Sequence, residues 1–247
     1  MMNETIKSIQ NHRSIRKFTD KQLEESVIDQ IIKSAQSMPN SINGQQTSII
    51  VVRDKERKAK LAELAGGQPW IDAAPVFLVF VMDFYKTNLA AQKNHLNQLI
   101  HESVEGTIVG TFDGGLAMGG ALIAAESMGL GVVPIGGIRQ NPAEVIELLK
   151  LPEYTYPLAG LAIGYPKDHS QKKPRLPFET FKHEETYNKE GLMEAIDEYD
   201  HTMEQYHNEI GREQGVNWSG YTANIYQHVY YPKVYPTMKD QSFQNDK

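Results

Sequence analysis

The residues best equipped for chemistry gather at three places. His12-Arg13-Ser14-Ile15-Arg16 sets two guanidinium groups around a single hydroxyl, a compact set of donors for a phosphate or a polarised carbonyl. The same stretch also reads as the solvated end of a helix. Pro134-Ile135-Gly136-Gly137-Ile138-Arg139 follows a run of strand character. Its paired glycines let backbone N–H groups come close to a flat ligand, although a plain turn has the same composition. Lys172-Lys173-Pro174-Arg175 carries its cations on an extended, proline-stiffened segment, fit to reach an anion from the edge of a fold or to serve as a charged surface loop.

Other chemistries are excluded by inspection. The 247 residues include no cysteine, which removes disulfides, thiolate catalysis and thiolate metal sites. No glycine-rich turn ends in Lys-Ser or Lys-Thr, the Gly131–Gly137 stretch lacks the G-x-G-x-x-G spacing, and there is no G-x-S-x-G elbow. The 8 histidines show no H-E-x-x-H or other metal-ligand spacing, so no metal is expected. A net charge of −6 argues against a nucleic-acid partner, which needs a basic face to displace counterions. The first ten residues carry no apolar run of signal length, and no stretch reads as the roughly 20 apolar residues of a membrane helix. The chain is therefore expected in the cytoplasm.

These residues need a scaffold, and hydrophobic spacing predicts one. A short helix from Ile6 leads into Arg13. A second helix, capped by Thr19 or Asp20, repeats Leu23, Val27, Ile28, Ile31, Ile32 and Ala35 at helical spacing and stops at Pro39. Ser37 to Thr47 reads as loop, opening into a strand at Ile49–Val52. Arg57 to Leu64 reads as a helix ended by Gly66-Gly67. Pro75 to Met82 is a strand apolar on both faces, as in a covered sheet. Gly114 to Met128 is a helix buried nearly all round, with Gly115 and Gly119 four apart, and this admits either ordinary packing or close approach of a second helix. Turn, strand and turn over Gly129 to Gly137, a helix from Pro142 to Lys150 with Asn141 as its cap, and a strand at Leu158–Ile163 complete a mixed α/β alternation. Beyond Gly164 the chain turns polar. Gly191 to Tyr206 reads as an amphipathic helix, and the rest through Tyr235 and Pro236 reads as an aperiodic arm.

The order and spacing of five motifs resembles the nitroreductase superfamily, in particular its larger NADPH-preferring flavin and nitro reductases. They are His12 to Arg16, the loop from Pro39-Asn40-Ser41 through Gln45, Gly66-Gly67-Gln68, Ile135 to Arg139, and Lys173-Pro174-Arg175-Leu176-Pro177. The resemblance spans most of the chain. It implies an α+β fold with a central mixed sheet flanked by helices, forming an intertwined homodimer that binds FMN in two clefts at the interface. The whole of 1–247 is then one domain, with about 165–247 as a C-terminal extension containing a flexible nicotinamide-binding region.

The resemblance also implies roles. His12, Arg13 and Ser14 lie around the FMN phosphate and ribityl end, Arg16 at the pyrimidine edge, and Lys173 and Arg175 in the phosphate clamp. Gln68 meets the polar edge of the flavin, and Asn40, Ser41 and Gln45 belong to the loop a partner chain brings in. Ile135, Gly136 and Gly137 lie beside the ring, with a backbone N–H directed at N5. No protein nucleophile is required, because FMN itself passes hydride from NADPH to nitroaromatics, quinones or free flavin in ping-pong turnover. Arg212 is the candidate for the NADPH 2′-phosphate. Its acidic neighbours Glu209 and Glu213 weaken that recognition, so NADH is expected to serve as well. A non-catalytic flavin sensor and a flavin-fragmenting or dehalogenating enzyme are the alternatives on this fold, and Trp218 with the tail tyrosines forms either a lid or a structural arm.

Overall fold

The structure is a computed structural model that describes residues 3–168, 170–212 and 217–247. It divides into two compact units, Met1–Ser170 with Tyr231–Lys247, and Gln171–Tyr230.

The first unit is built on a sheet. After α1 (Glu4–Gln10) and α2 (Glu25–Gln36) come β1 (Thr47–Val52), α3 (Lys55–Leu64), α4 (Pro69–Ala73), β2 (Val76–Asp83) and α5 (Tyr85–Lys93). There follow α6 (Val104–Ser127), β3 (Gly131–Ile135), α7 (Pro142–Leu149) and β4 (Thr155–Gly164). The strands lie in the order β1-β2-β4-β3. All eight residues of β2 are buried, because it is central and covered on both faces. Its alternation sorts them cleanly. Phe77, Val79 and Val81 face α3, α4 and α7 through Leu61, Ile71 and Val145, while Val76, Leu78 and Phe80 face Ile28 and Ile31 of α2 and Ala117 and Ala121 of α6.

Every named strand pair is antiparallel. Mixed character enters only at the β3 edge, where Ser14 forms a parallel bridge to Val132. Parallel pairing needs a long covered connection, and the chain between Ser14 and Val132 supplies it.

Three element boundaries differ from expectation. α2 starts at Glu25 and takes no side-chain cap from Thr19 or Asp20. Those residues are held extended instead, with Phe18 bridged to Pro166 and the Thr19 amide donating to the Tyr165 carbonyl at 2.9 Å. Asn141 precedes α7 without a side-chain cap bond, since its Oδ1 accepts from the Lys233 ammonium at 2.7 Å while its Nδ2 donates to the Leu64 carbonyl at 2.9 Å. α6 begins at Val104, ten residues before the expected Gly114. Glycines hid its first half from a periodicity reading, yet they are what lets it pack: a Cβ at Gly110 would lie 2.5 Å from the Met82 sulfur. By length and composition α6 is also apolar enough to cross a membrane, against expectation. Here it covers the sheet and carries the buried carboxylate of Asp113.

The tail is more ordered than its sequence suggested. In the second unit, α8 (Leu192–Glu209) and α9 (Trp218–Tyr226) are joined by Tyr199, whose ring meets Trp218 edge-on at 5.6 Å. The Tyr199 hydroxyl donates to the Pro174 carbonyl at 2.9 Å, and burial pushes the phenol pKa up. Trp218 thus ties α9 to α8 within this unit. In the first unit, α10 (Val234–Asp240) packs Met238, followed by Phe243, with Met82, Phe84 and Tyr156. Pro236 is accommodated there because the first turn of a helix needs no donor from it.

Candidate active site

The His12–Arg16 segment is fixed by its apolar neighbours. Ile15 and Phe18 are buried in the core, and the Ile15 amide donates to the Val132 carbonyl at 2.9 Å. Gly131 is required opposite, since a Cβ there would meet Ile15 at 2.7 Å. The polar side chains between these fixed points are left for other work. His12 Nδ1 lies 2.6 Å from Glu126 Oε1 on α6. Arg13 is half-buried, and its Nε is buried without a hydrogen-bond partner. Arg16 is exposed, with its guanidinium carbon 5.4 Å from the centroid of the Trp70 ring.

Gln68 and the glycine pair, distant in sequence, meet in space. Gly66 and Gly67 take φ of +86° and +77°, closing α3 in a left-handed turn that delivers Gln68. The Gln68 Nε2 donates to the Ala65 carbonyl at 2.9 Å. Gly137 is buried against both groups: a Cβ there would lie 2.5 Å from the Ala65 oxygen and would overlap Gln68 Nε2. Pro69 opens the next turn, and the Trp70 Nε1 is buried without a partner. Below it the Lys58 ammonium donates to the Asp72 carbonyl at 3.0 Å and to the Ala74 carbonyl. Burial lowers the pKa of Lys58, and Asp72 partly opposes that shift. Arg139, last of its motif, turns inward to the Leu158 carbonyl and the Tyr231 ring.

The loop of Asn40, Ser41 and Gln45 belongs to a different neighbourhood. Asp113 accepts from the Ser41 amide at 3.1 Å and from the buried Gln46 side chain, and Asn40 Oδ1 accepts from the Gln45 amide at 3.0 Å. Ile42, Asn43 and Gln45 all have positive φ, near 50–56°. Such strain persists only where surrounding contacts over-determine it. Ile42 is nevertheless 96% exposed. Behind the loop lies a cavity of about 270 Å³ bordered by α2, β1 and α6 and lined in part by Asn40, Gln45, Thr47 and Lys86.

Lys173 and Arg175 lie in the second unit, both exposed, with Arg175 donating to the Lys173 carbonyl at 2.9 Å. Arg212 is exposed just beyond α8, where its amide donates to the His207 carbonyl at 2.8 Å. Glu209 ends α8, while Glu213 lies outside the described residues.

Sequence reasoning missed Glu126, Trp70, Asp113 and Lys58. A carboxylate inside a glycine-rich apolar helix was the one available signal, and it pointed to Asp113.

Chemically, the first unit offers buried nitrogen donors at Arg13 and Trp70 and a cation at Arg16, all without hydrogen-bond or ion-pair partners among the described residues, and the backbone of Gly137 beside Gln68. That set fits a planar, acceptor-rich group bearing an anion. An α+β fold carrying such a set is a cofactor-binding class, and comparison with known proteins narrows it. The chain belongs to the nitroreductase family: residues 9–165 match the Nitroreductase family, and residues 173–246 match its C-terminal domain. It is similar to the FMN reductase [NAD(P)H] of Bacillus subtilis (strain 168), 50% identical with 100% of each chain covered. Among solved structures it resembles B. megaterium NfrA2, with a TM-score of 0.97 and 48% identity over 100% of both chains. It also resembles the NADPH:FMN oxidoreductase of Vibrio harveyi complexed with NAD+, with a TM-score of 0.89 and 33% identity, covering 98% of this chain and 99% of that one.

Proposed function

We propose that this chain is an FMN-dependent oxidoreductase that takes hydride from NADPH, and also from NADH, and passes electrons to nitroaromatics, quinones or free flavin by a ping-pong mechanism. The carrying observation is the meeting of Gln68 with Gly137 on the turn that bears Trp70, whose buried Nε1 has no partner among the described residues, in a chain similar to FMN reductases. FMN, when bound, supplies the hydride chemistry. The protein's own residues bind and orient. His12, Arg13 and Ser14, with Lys173 and Arg175, are assigned to the phosphate and ribityl end, Arg16 to the pyrimidine edge, and Ile135, Gly136, Gly137 and Gln68 to the ring. A cation at the pyrimidine edge stabilises the negative charge of the reduced ring.

The active form is a homodimer. Ile108 and Phe112, 57% and 65% exposed, continue along α6 into Gly115 and Gly119, where nothing lies within 4 Å of an added Cβ. Their spacing puts all four on one helix face, open to a second copy. The strained loop of Asn40, Ser41 and Gln45 reaches the partner's flavin in this reading. The chain works as a single domain with its extension from about residue 165, in line with the return of Tyr231–Lys247 to the first unit. A cytoplasmic location is part of the same reading, since reduced nicotinamides are held there.

The test is spectroscopic. The purified protein, reconstituted with FMN, is yellow, bleaches with NADPH or NADH without oxygen, and recovers with a nitroaromatic or quinone. A colourless product defeats the proposal, and bleaching without recovery points to a sensor. Arg212, with Glu209 three residues before it, supports only a soft choice between nicotinamides. A kcat/KM preference for NADPH above roughly a thousandfold, about 4 kcal/mol, overturns that part.

A further inference from the structure

We propose that Trp70 is a positioning residue for Arg16, and that through Arg16 it sets how strongly the site favours reduced over oxidised FMN; this rests on the FMN reading above. The Arg16 guanidinium lies over the Trp70 ring at 5.4 Å. No carboxylate is within ion-pair range of Arg16 among the described residues. That choice of partner matters. A carboxylate would orient the arginine and cancel its charge, whereas the negative face of an indole orients it and leaves the charge available to an anion.

The two members of the pair are unequally held. Arg16 is a long, exposed side chain whose backbone is fixed through its neighbours Ile15 and Phe18. Trp70 packs against the core, on a turn begun by Pro69 and closed by the Ala74 amide donating to the Trp70 carbonyl at 3.2 Å. Lys58 holds the far end of that turn at the Asp72 carbonyl. The ring is therefore the fixed member and the guanidinium the guided one. Gln68 starts the same turn, so one local structure supplies a donor for the ring edge and aims the cation.

Two measurements test this. The chain has 2 tryptophans, so Trp218→Phe leaves Trp70 as the sole tryptophan, excited selectively at the red edge beyond tyrosine absorption, and Arg16→Leu in that background shifts its fluorescence with no cofactor present. In the holoenzyme, Trp70→Leu lowers the preference for reduced over oxidised FMN about threefold, or about 14 mV for a two-electron couple at ~30 mV per tenfold. Trp70→Phe retains most of the preference, and Trp70→Leu adds no further change once Arg16→Leu is present. A Trp70→Leu effect that persists undiminished in the Arg16→Leu background, or an emission blind to Arg16, overturns the proposal. Emission coupling in a protein that binds no FMN instead defeats the functional reading, and the redox role falls with it.

Discussion

Two loops of the first unit take left-handed backbone, and they are finished differently. The Gly66–Trp70 turn puts its positive φ values on glycines, packs Gly137 against Gln68 and the preceding Ala65 carbonyl, and runs into α4, whose far end Lys58 holds at the Asp72 carbonyl. It is complete within one chain. The Asn40–Gln45 loop puts positive φ on Ile42, Asn43 and Gln45, is held from one side by Asp113, and leaves Ile42 almost bare. In the proposed dimer, this strain in side-chain-bearing residues lies at the surface that a second copy completes. The difference separates what a protomer makes alone from what the proposed dimer must supply.

The largest expected effect lies at Asp113. Asp113→Ala strands the buried Gln46 side chain and the Ser41 amide, and is expected to cost about 3 kcal/mol in urea unfolding. If stability is unchanged, the loop is braced elsewhere. Gly137→Ala drives a methyl group against the Ala65 carbonyl, 2.5 Å away, and against Gln68. A cost of about 2 kcal/mol is expected, together with weaker FMN retention on gel filtration. Retention of FMN at wild-type strength would show that the turn tolerates rearrangement.

Ile42→Asp sharpens the contrast most directly. With Ile42 96% exposed in the protomer at a positive φ that aspartate tolerates better than a β-branched residue, the substitution does not weaken its folding. The dimer, measured by sedimentation, is expected to weaken by about tenfold, and an unchanged dimer would mean that the loop meets no partner.

The smallest effect concerns Lys58. Its folded pKa lies below its usual 10.5 because burial disfavours the ammonium form. Between the two values the unfolded chain binds more protons, so this group makes stability rise with pH across the alkaline window ending at 10.5. Lys58→Met removes that rise, and equal slopes for the two proteins in thermal melts would refute it.

Much of this was legible in advance for a simple reason. The unbroken apolar run of Val76–Met82 and the 3.6-residue spacing of Ile28, Ile31 and Ala35 are local signals, each written within one element. What escaped was either masked or distant. Glycines that fit α6 against Met82 lower its helical propensity and hid its first half. The start of α2 was set by Phe18 pairing with Pro166, which no window of ten residues contains.

The chain's residues by themselves determined the catalogue of donors, the order of the motifs and the resemblance that follows from it, because composition and spacing are carried along the chain. Tertiary structure alone decided that Gly137 lies against Gln68, that Trp70 lies under Arg16, and that Asp113 holds a loop some seventy residues away. These contacts join segments far apart in sequence, so their geometry exists only once the sheet has fixed where each element ends.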